Sequence, residues 1–315
     1  MRLALCGDWS RLWIVNLRHL LLGIVLLAGG WSLCAKTFTV GTYNVELYID
    51  RGFSTVPPKS AAAKAKAQET ILALQADVLA LQEFGTTNLL VELQETLSQR
   101  GLTYPYWEWV NGPDTNLHLA LLSKFPIVAS RPHVSEAFLL GGRRMFVSRG
   151  FLEVDIQVEP SYRFTLLAAH LKSKRFSLVA DEEEIRDQEA MMLRAHVARL
   201  LAEDSKRNLV VLGDFNDHKS TRTLQTLLGR GRMGLVDTRP SERRVPSITS
   251  NELSNATWTH FFSRDDVYSR LDYILISSGF AREWNREESY VLARPDWIEA
   301  SDHRPVVVQF DAIDR

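Results

Sequence analysis

Branched apolar residues in this chain come in short runs, and run after run closes on a polar residue able to bind a metal ion or move a proton. The sharpest case is "NLVVLGDFNDH", residues 208–218. Leu209, Val210, Val211 and Leu212 are contiguous, the pattern of a strand buried on both faces, and Gly213 ends it. Asp214, Asn216 and Asp217 follow at the strand's carboxyl end. Ligands of open α/β sheets bind outside that edge, so these oxygen donors are either a site or an ordinary Asp/Asn turn.

The pattern recurs. "KTFTVGTYNVE" (36–46) alternates and closes on Asn44 and Glu46, and "ADVLALQEF" (76–84) is a short apolar strand closing on Gln82 and Glu83. Between them, Lys59 to Gln75 is rich in Ala, Lys and Gln, a helix former throughout. A second helix is predicted over "NLLVELQETLSQR" (88–100), and strands over "YPYWEWV" (104–110) and "LHLALLSKFPIV" (117–128). Two long strands follow, "RGFLEVDIQVE" (149–159) and "RFTLLAAHLKSK" (163–174), the second carrying His170 and Lys172. Residues 181–204 have apolar positions at helical spacing and acids at the amino end, where the macrodipole favours them. Late strands are "RLDYILIS" (270–277), with Asp272, and "RPVVVQF" (304–310), entered directly from Asp302 and His303. Helices alternating with strands early, and strands pairing more directly later, predict mixed sheets covered by helices.

With 315 residues, 45% of them hydrophobic, and neither a linker nor a repeat, one large α/β domain is expected over 36–315. Residues 1–35 differ. Arg11 and Arg18 precede the apolar core "LLLGIVLLAGG", and Ala35 suits a cleavage point, as in a signal peptide. That core is shorter than the roughly 20 residues of a membrane span. Export to the periplasm or the medium is therefore expected, an uncleaved membrane anchor being the alternative. Cys6 and Cys34 both lie in this leader, so its removal excludes disulfides, cysteine catalysis and thiolate zinc binding. Net charge is −1, and the leader's three Arg and one Asp leave about −3 for the remainder. That is not the footprint of a stoichiometric nucleic-acid binder, although an enzyme that screens phosphates with a divalent ion is compatible with it.

Taken in order, "TYNVE", "LQE", "AAHLKSK", "GDFND", "LDYIL" and "SDHRP" resemble the endonuclease/exonuclease/phosphatase superfamily. The likeness runs from about residue 37 to 311. It implies a deoxyribonuclease I-like fold, a four-layer α/β sandwich of two mixed β-sheets flanked by helices. It also implies a Mg²⁺ site, open to Mn²⁺ or Ca²⁺, with Glu83 as the principal ligand and Glu46 and Asp302 as further carboxylates. Glu46 stands where many members carry Asp. Asp214 matches the group that orients or deprotonates the attacking water, Asn216 the residue that steers the phosphate or that water, and His303 a donor paired with Asp272. His170 matches a histidine that reaches the scissile phosphate, and Asn44 and Lys172 match phosphate contacts. The chemistry agrees, because a phosphodiester repels hydroxide and hydrolysis needs a cation, a positioned water and charge relief at the leaving oxygen.

Asp217 reads as a solvated turn residue, Arg149 as a surface arginine, and Trp107, Trp109 and Trp258 as core. His118, His133, His218 and His260 receive no chemistry. The stretch "AAHLKSKR" with the later "IRDQEAMML" resembles secreted bacterial nucleases, so nucleic acid is the expected substrate, and no stable protein partner is implied. The rivals are a sphingomyelinase-like phosphodiesterase, an inositol phosphate phosphatase and, from another class, a non-catalytic binding module. A membrane is a partner only if the leader is uncleaved or the substrate is a phospholipid.

Overall fold

The computed structural model describes residues 36–244 and 255–313, all within one unit, Lys36–Arg315. The expected leader, residues 1–35, lies outside the described residues. In chain order the first strands are β1 (Thr37–Tyr48), β2 (Val78–Phe84), β3 (Tyr106–Val110), β4 (His118–Ser123), β5 (Ile127–Ser130), β6 (Ala137–Leu140), β7 (Arg143–Phe146), β8 (Phe151–Glu159) and β9 (Tyr162–His170). The later ones are β10 (Leu209–Asp214), β11 (Leu235–Asp237), β12 (Ser241–Arg244), β13 (His260–Phe262), β14 (Val267–Ser269), β15 (Asp272–Ser277), β16 (Trp284–Ala293) and β17 (Val306–Asp311). The α-helices are α1 (Ala61–Leu74), α2 (Thr87–Gln99), α3 (Glu182–Glu203), α4 (Arg222–Leu228) and α5 (Trp297–Ala300).

Two large sheets carry the fold, ordered β12-β16-β17-β1-β2-β4-β3 and β11-β15-β10-β9-β8-β5. Both are mixed. β1 runs parallel to β2 and antiparallel to β17, and β10 runs parallel to β9 and antiparallel to β15. Period-two alternation explains the layering. Val78 and Ala80 join Val154, Leu166 and Leu212 of the other sheet in a central core, whereas Leu79 and Leu81 turn outward onto Ile71, Leu90 and Leu93 of α1 and α2. On the opposite flank Leu167, Ala169 and Val211 meet Leu193 and Val197 of α3 and Leu224 of α4. Helix, sheet, sheet and helix therefore stack as four layers, the expected architecture.

The helix starts follow from local chemistry. Ser60 Oγ accepts the Ala63 N–H at 3.1 Å to open α1, and Asp181 accepts the N–H groups of Glu183 and Glu184 at 2.9 and 3.1 Å to open α3. Glu182, Glu183 and Glu184 fill the first turn of α3, where negative charge is favoured.

The run 117–128, expected as one strand, is two. β4 belongs to the first sheet and β5 to the second, with the crossing at Lys124–Pro126. Pro126 cannot donate to a ladder, and Ser123 Oγ accepts the Phe125 N–H at 3.0 Å, which turns the chain between sheets. β16 has no strong alternation and was not expected from the pattern. No helix among the described residues is long and apolar enough to cross a membrane.

Candidate active site

Sheet register assembles the site. β10 sets Asp214 opposite His170 of β9 on one side and opposite Asp272 of β15 on the other. Three strand-end residues far apart in sequence thus form one row. Gly213 permits the close approach: its φ is +134°, and a Cβ there would lie 1.9 Å from the Ala169 carbonyl oxygen.

The first sheet brings its own residues to the same place. Asn44 Nδ2 lies 3.0 Å from Asp214 Oδ2 and 3.3 Å from Glu83 Oε1, so one buried amide spans both sheets. Its Oδ1 accepts the Glu46 N–H at 3.0 Å, Glu83 Oε2 accepts the Leu47 N–H at 3.0 Å, and Glu46 Oε2 accepts the Asp302 N–H at 3.2 Å. Glu46, Leu47, Glu83 and Asn216 all have φ between +43° and +59°. Left-handed backbone at non-glycine residues is strained and collects at functional sites.

His303 Nδ1 lies 2.7 Å from Asp272 Oδ2, and its Nε2 is 3.6 Å from Asp214 Oδ2. Burial opposes the histidine's charge, but Asp272 and Asp214 outweigh it and hold the pKa well above the ordinary imidazole value. Burial lifts Asp214 to about 7, with Asp272 adding to the rise against the charge of His303 and the hydrogen bonds from Asn44 and Asn216. His170 Nε2 stands 3.6 Å from the same carboxylate. Burial, then the charges of Arg149 and His303, push its pKa well down, so it is a neutral donor or acceptor. Both of its ring nitrogens, and Asp272 Oδ1, are buried without a hydrogen-bond partner. Orphaned polar atoms of this kind mark where a bound group completes the bonding.

Glu46 neighbours both Asp302 and Glu83, although these three expected ligands do not form one tight cluster among the described residues. Burial and the neighbouring Asp302 raise the Glu46 pKa, Lys59 opposing, as expected of acidic groups brought together for a positive partner. Asp302 is held low despite burial by His260 and His303. The described residues also include two tight His/carboxylate groups here, His260–Asp302–His303 and Asp214–Asp272–His303.

Several residues differ from expectation. Asp217 is buried rather than solvated, because Arg186 of α3 donates Nε–H to it at 3.0 Å. Arg186 also binds the Lys172 carbonyl, and buried Glu189 accepts the Lys172 N–H at 2.6 Å, so "IRDQE" clamps the loop after β9. Lys172 Nζ donates to the carbonyls of Ser173 and Arg175, which turns its ammonium onto its own loop. Asn216 donates to the Leu171 carbonyl at 3.0 Å and its N–H to Asp214 Oδ1 at 2.9 Å, a pin on the same loop. Arg149 is no surface arginine; its side chain is 11% exposed, with Nε 3.5 Å from Asp114 Oδ2. Trp107 is exposed instead of core, and Trp258 meets Tyr268 and Trp297 edge-on with the Arg304 guanidinium over its ring.

Sequence reasoning missed two members. His260 bridges His303 through the backbone, and its Nε2 is 3.6 Å from Asp302 Oδ2. Lys59 donates to the Glu46 carbonyl at 2.7 Å, with its ammonium 3.7 Å from Glu46 Oε2. Neither stands in a strand-end motif of the kind that revealed the others. His118 is structural as expected, with Nδ1 3.2 Å from the Val110 carbonyl and its ring on Trp109.

This fold is shared by a family whose members are hydrolases acting on phosphoester bonds. The family model described as Endonuclease/Exonuclease/phosphatase family matches residues 41–303, and the chain belongs to that family. Among solved structures it is similar to the human Nocturnin catalytic domain with bound sulfate anion (19% identity, TM-score 0.61, covering 88% of this chain and 95% of that one). It is similar also to sphingomyelinase C from Streptomyces griseocarneus (20%, 0.59, 88% and 100%) and to truncated Caenorhabditis elegans TDP2 (15%, 0.59, 88% and 98%). These likenesses concern the fold. No curated protein sequence matches.

Proposed function

We propose that this chain is a divalent-metal-dependent phosphodiesterase, a nuclease acting on DNA or RNA, exported by its leader. The carrying observation is the convergence of Asn44, His170 and His303 on Asp214 within 3.0–3.6 Å, from both sheets. The Asp214 carboxylate accepts a proton from the attacking water, and Asn44 and Asn216 fix its orientation. His303, protonated and held by Asp272, donates toward the phosphoryl group or the leaving oxygen. Neutral His170 hydrogen-bonds a phosphate oxygen. Glu83, Glu46 and Asp302 would hold Mg²⁺ or Mn²⁺, which supplies charge neutralisation on the phosphoryl oxygens.

Nucleic acid is favoured by the loop after β9, clamped beside His170 by Arg186 and Glu189, which offers exposed Lys174 and Arg175 to a polyanion. A phospholipid phosphodiesterase is the second reading. Phe176, Leu178 and Val179 on that loop are 82%, 91% and 53% exposed, an apolar rim beside Lys174 and Arg175. The full chain assayed at matched salt on DNA, RNA, sphingomyelin vesicles and bis(p-nitrophenyl) phosphate separates the readings. Fastest turnover on a nucleic acid supports the first, and turnover confined to sphingomyelin replaces it with the second. No hydrolysis of any substrate with Mg²⁺ or Mn²⁺ leaves the non-catalytic binding module.

A further inference from the structure

Away from this site, the loop between β5 and β6 and the outer helix α3 bring together two histidines and a glutamate that the proposed chemistry does not use. His196 Nε2 lies 3.1 Å from Glu136 Oε1, and His133 Nδ1 lies 3.9 Å from the same oxygen. The two imidazole rings sit with centroids 3.8 Å apart. One ligand atom from each of the three residues falls within 4.8 Å of the others. We propose that His133, Glu136 and His196 form a second metal site, for a borderline transition ion of the Zn²⁺ class, with a coordination position left for water.

Geometry and donor type support this assignment. Ligands about 2.0–2.1 Å from a tetrahedral ion stand roughly 3.3 Å from one another, and the edges of 3.1 and 3.9 Å lie either side of that value. The shorter edge is a hydrogen bond in which His196 Nε2–H donates to Glu136 Oε1, and an ion bound here displaces that proton. The 3.9 Å edge is too long for a hydrogen bond, so a direct bond does not explain why Nδ1 faces the carboxylate. The other nitrogen of His133 is already engaged, with Nε2 2.9 Å from Oε2 of fully buried Glu153. A carboxylate that accepts Nε2–H leaves the lone pair on Nδ1, the usual second-layer device of histidine–metal sites. Glu153 is itself fixed by Arg131 Nε and Arg199.

The ligands are held before any ion arrives. The His133 backbone exchanges hydrogen bonds with Phe151 at 2.8 and 3.0 Å, and the Glu136 carbonyl accepts the Val147 N–H at 3.0 Å. The His196 ring packs edge-on against Phe151. The three side chains are 13–24% exposed, which leaves an entry path. His196 lies ten residues beyond Arg186 on α3, ~15 Å along the helix from the clamp at the catalytic loop. Two imidazoles and one carboxylate suit Zn²⁺, Co²⁺ or Ni²⁺, whereas the all-oxygen set of Glu83, Glu46 and Asp302 suits Mg²⁺.

The test is calorimetric titration of the full chain with Zn²⁺ in excess Mg²⁺. Wild type and Glu83→Gln should each take up one equivalent at this site, and Co²⁺ in its place should give tetrahedral ligand-field absorption. His196→Ala and His133→Ala should weaken that equivalent by more than ~100-fold while leaving Mg²⁺-supported hydrolysis unchanged. His196→Gln preserves a polar side chain and packing, so loss of Zn²⁺ binding there with an unaltered metal-free unfolding temperature separates ligation from folding. Zn²⁺ binding that survives both histidine substitutions, or that is absent from wild type, overturns the proposal. Because no phosphoester is used in the titration, its outcome is independent of the catalytic reading.

Discussion

His303 Nδ1 and Asp272 Oδ2 are 2.7 Å apart in a buried pair, and Asp214 stands beside Asp272 in the sheet register, within reach of the histidine's other nitrogen. This arrangement sets the pH response. Asp214 must be ionised to accept a proton, and its pKa is about 7, so kcat/KM should climb roughly tenfold per pH unit below 7 and then level. His303 must keep its proton, and its raised pKa places the falling limb well on the alkaline side. Asp272→Asn removes the main charge that raises His303. We expect the alkaline limb to move toward neutrality and kcat to drop by ~10²–10⁴. A pH–rate profile whose alkaline limb is identical in wild type and Asp272→Asn contradicts the pairing.

The same shifts govern stability. His303 has a folded-state pKa above its unfolded one, so its contribution is complete below about 6.5 and disappears as pH rises through the folded value. Asp214 acts in the same direction, because the unfolded carboxyl loses its proton near 3.8 and the folded one near 7. Stability linked to Asp214 therefore declines from about pH 4 to about pH 7. Asp214→Asn should abolish hydrolysis yet raise the unfolding temperature at pH 8, measured with chelator present. An activity loss accompanied by a lower unfolding temperature at that pH would mean that Asp214 is chiefly structural.

Much of this was legible beforehand. The apolar runs gave the core strands because burial on both faces forces contiguous branched residues, and the strand ends gave Asn44, Glu83, His170 and Asp214 because parallel pairing aligns such ends, while His303 enters antiparallel β17 at the same edge. Pairing across a sheet is harder to see. Nothing local says that β13 returns to bridge His303, so the sequence gives no ground to assign His260 a role. Asp217 reads as a turn residue until α3 delivers Arg186 to it, and Arg149 reads as surface until the fold brings it beside His170. Lys59 is masked by a helix-forming stretch whose first turn it precedes. The division of 117–128 between two sheets depends on Pro126, a single residue whose effect the apolar pattern outweighed.

Glu83 is held from two sides, by Asn44 at Oε1 and the Leu47 amide at Oε2, which leaves lone pairs on both oxygens for a cation. Removing its charge while keeping its shape should weaken the cation and spare the fold. We expect EDTA to abolish hydrolysis, and Mg²⁺ or Mn²⁺ to restore it in wild type. Glu83→Gln should lose ~10²–10³ in kcat and need more Mg²⁺ for half-activity, with an unchanged circular dichroism spectrum. Full activity of wild type in EDTA would remove the cation from the mechanism altogether.

Gly213 gives the most direct test of how sheet pairing makes the site. A methyl group there would sit 1.9 Å from the Ala169 carbonyl oxygen and on a backbone at φ +134°, a region side chains rarely enter. Either β10 moves away from β9 or the residue changes conformation, and both disturb the row that sets Asp214 beside His170. We expect Gly213→Ala to cost more than ~3 kcal/mol in urea unfolding and to remove activity even at temperatures where the protein stays folded. Gly141, at φ +57° with nothing within 4 Å of an added Cβ, is the control, and Gly141→Ala should cost no more than about 1–2 kcal/mol. Comparable stability losses at the two positions would show that backbone conformation alone is at issue and that the close contact between β9 and β10 is not what holds the catalytic row in place.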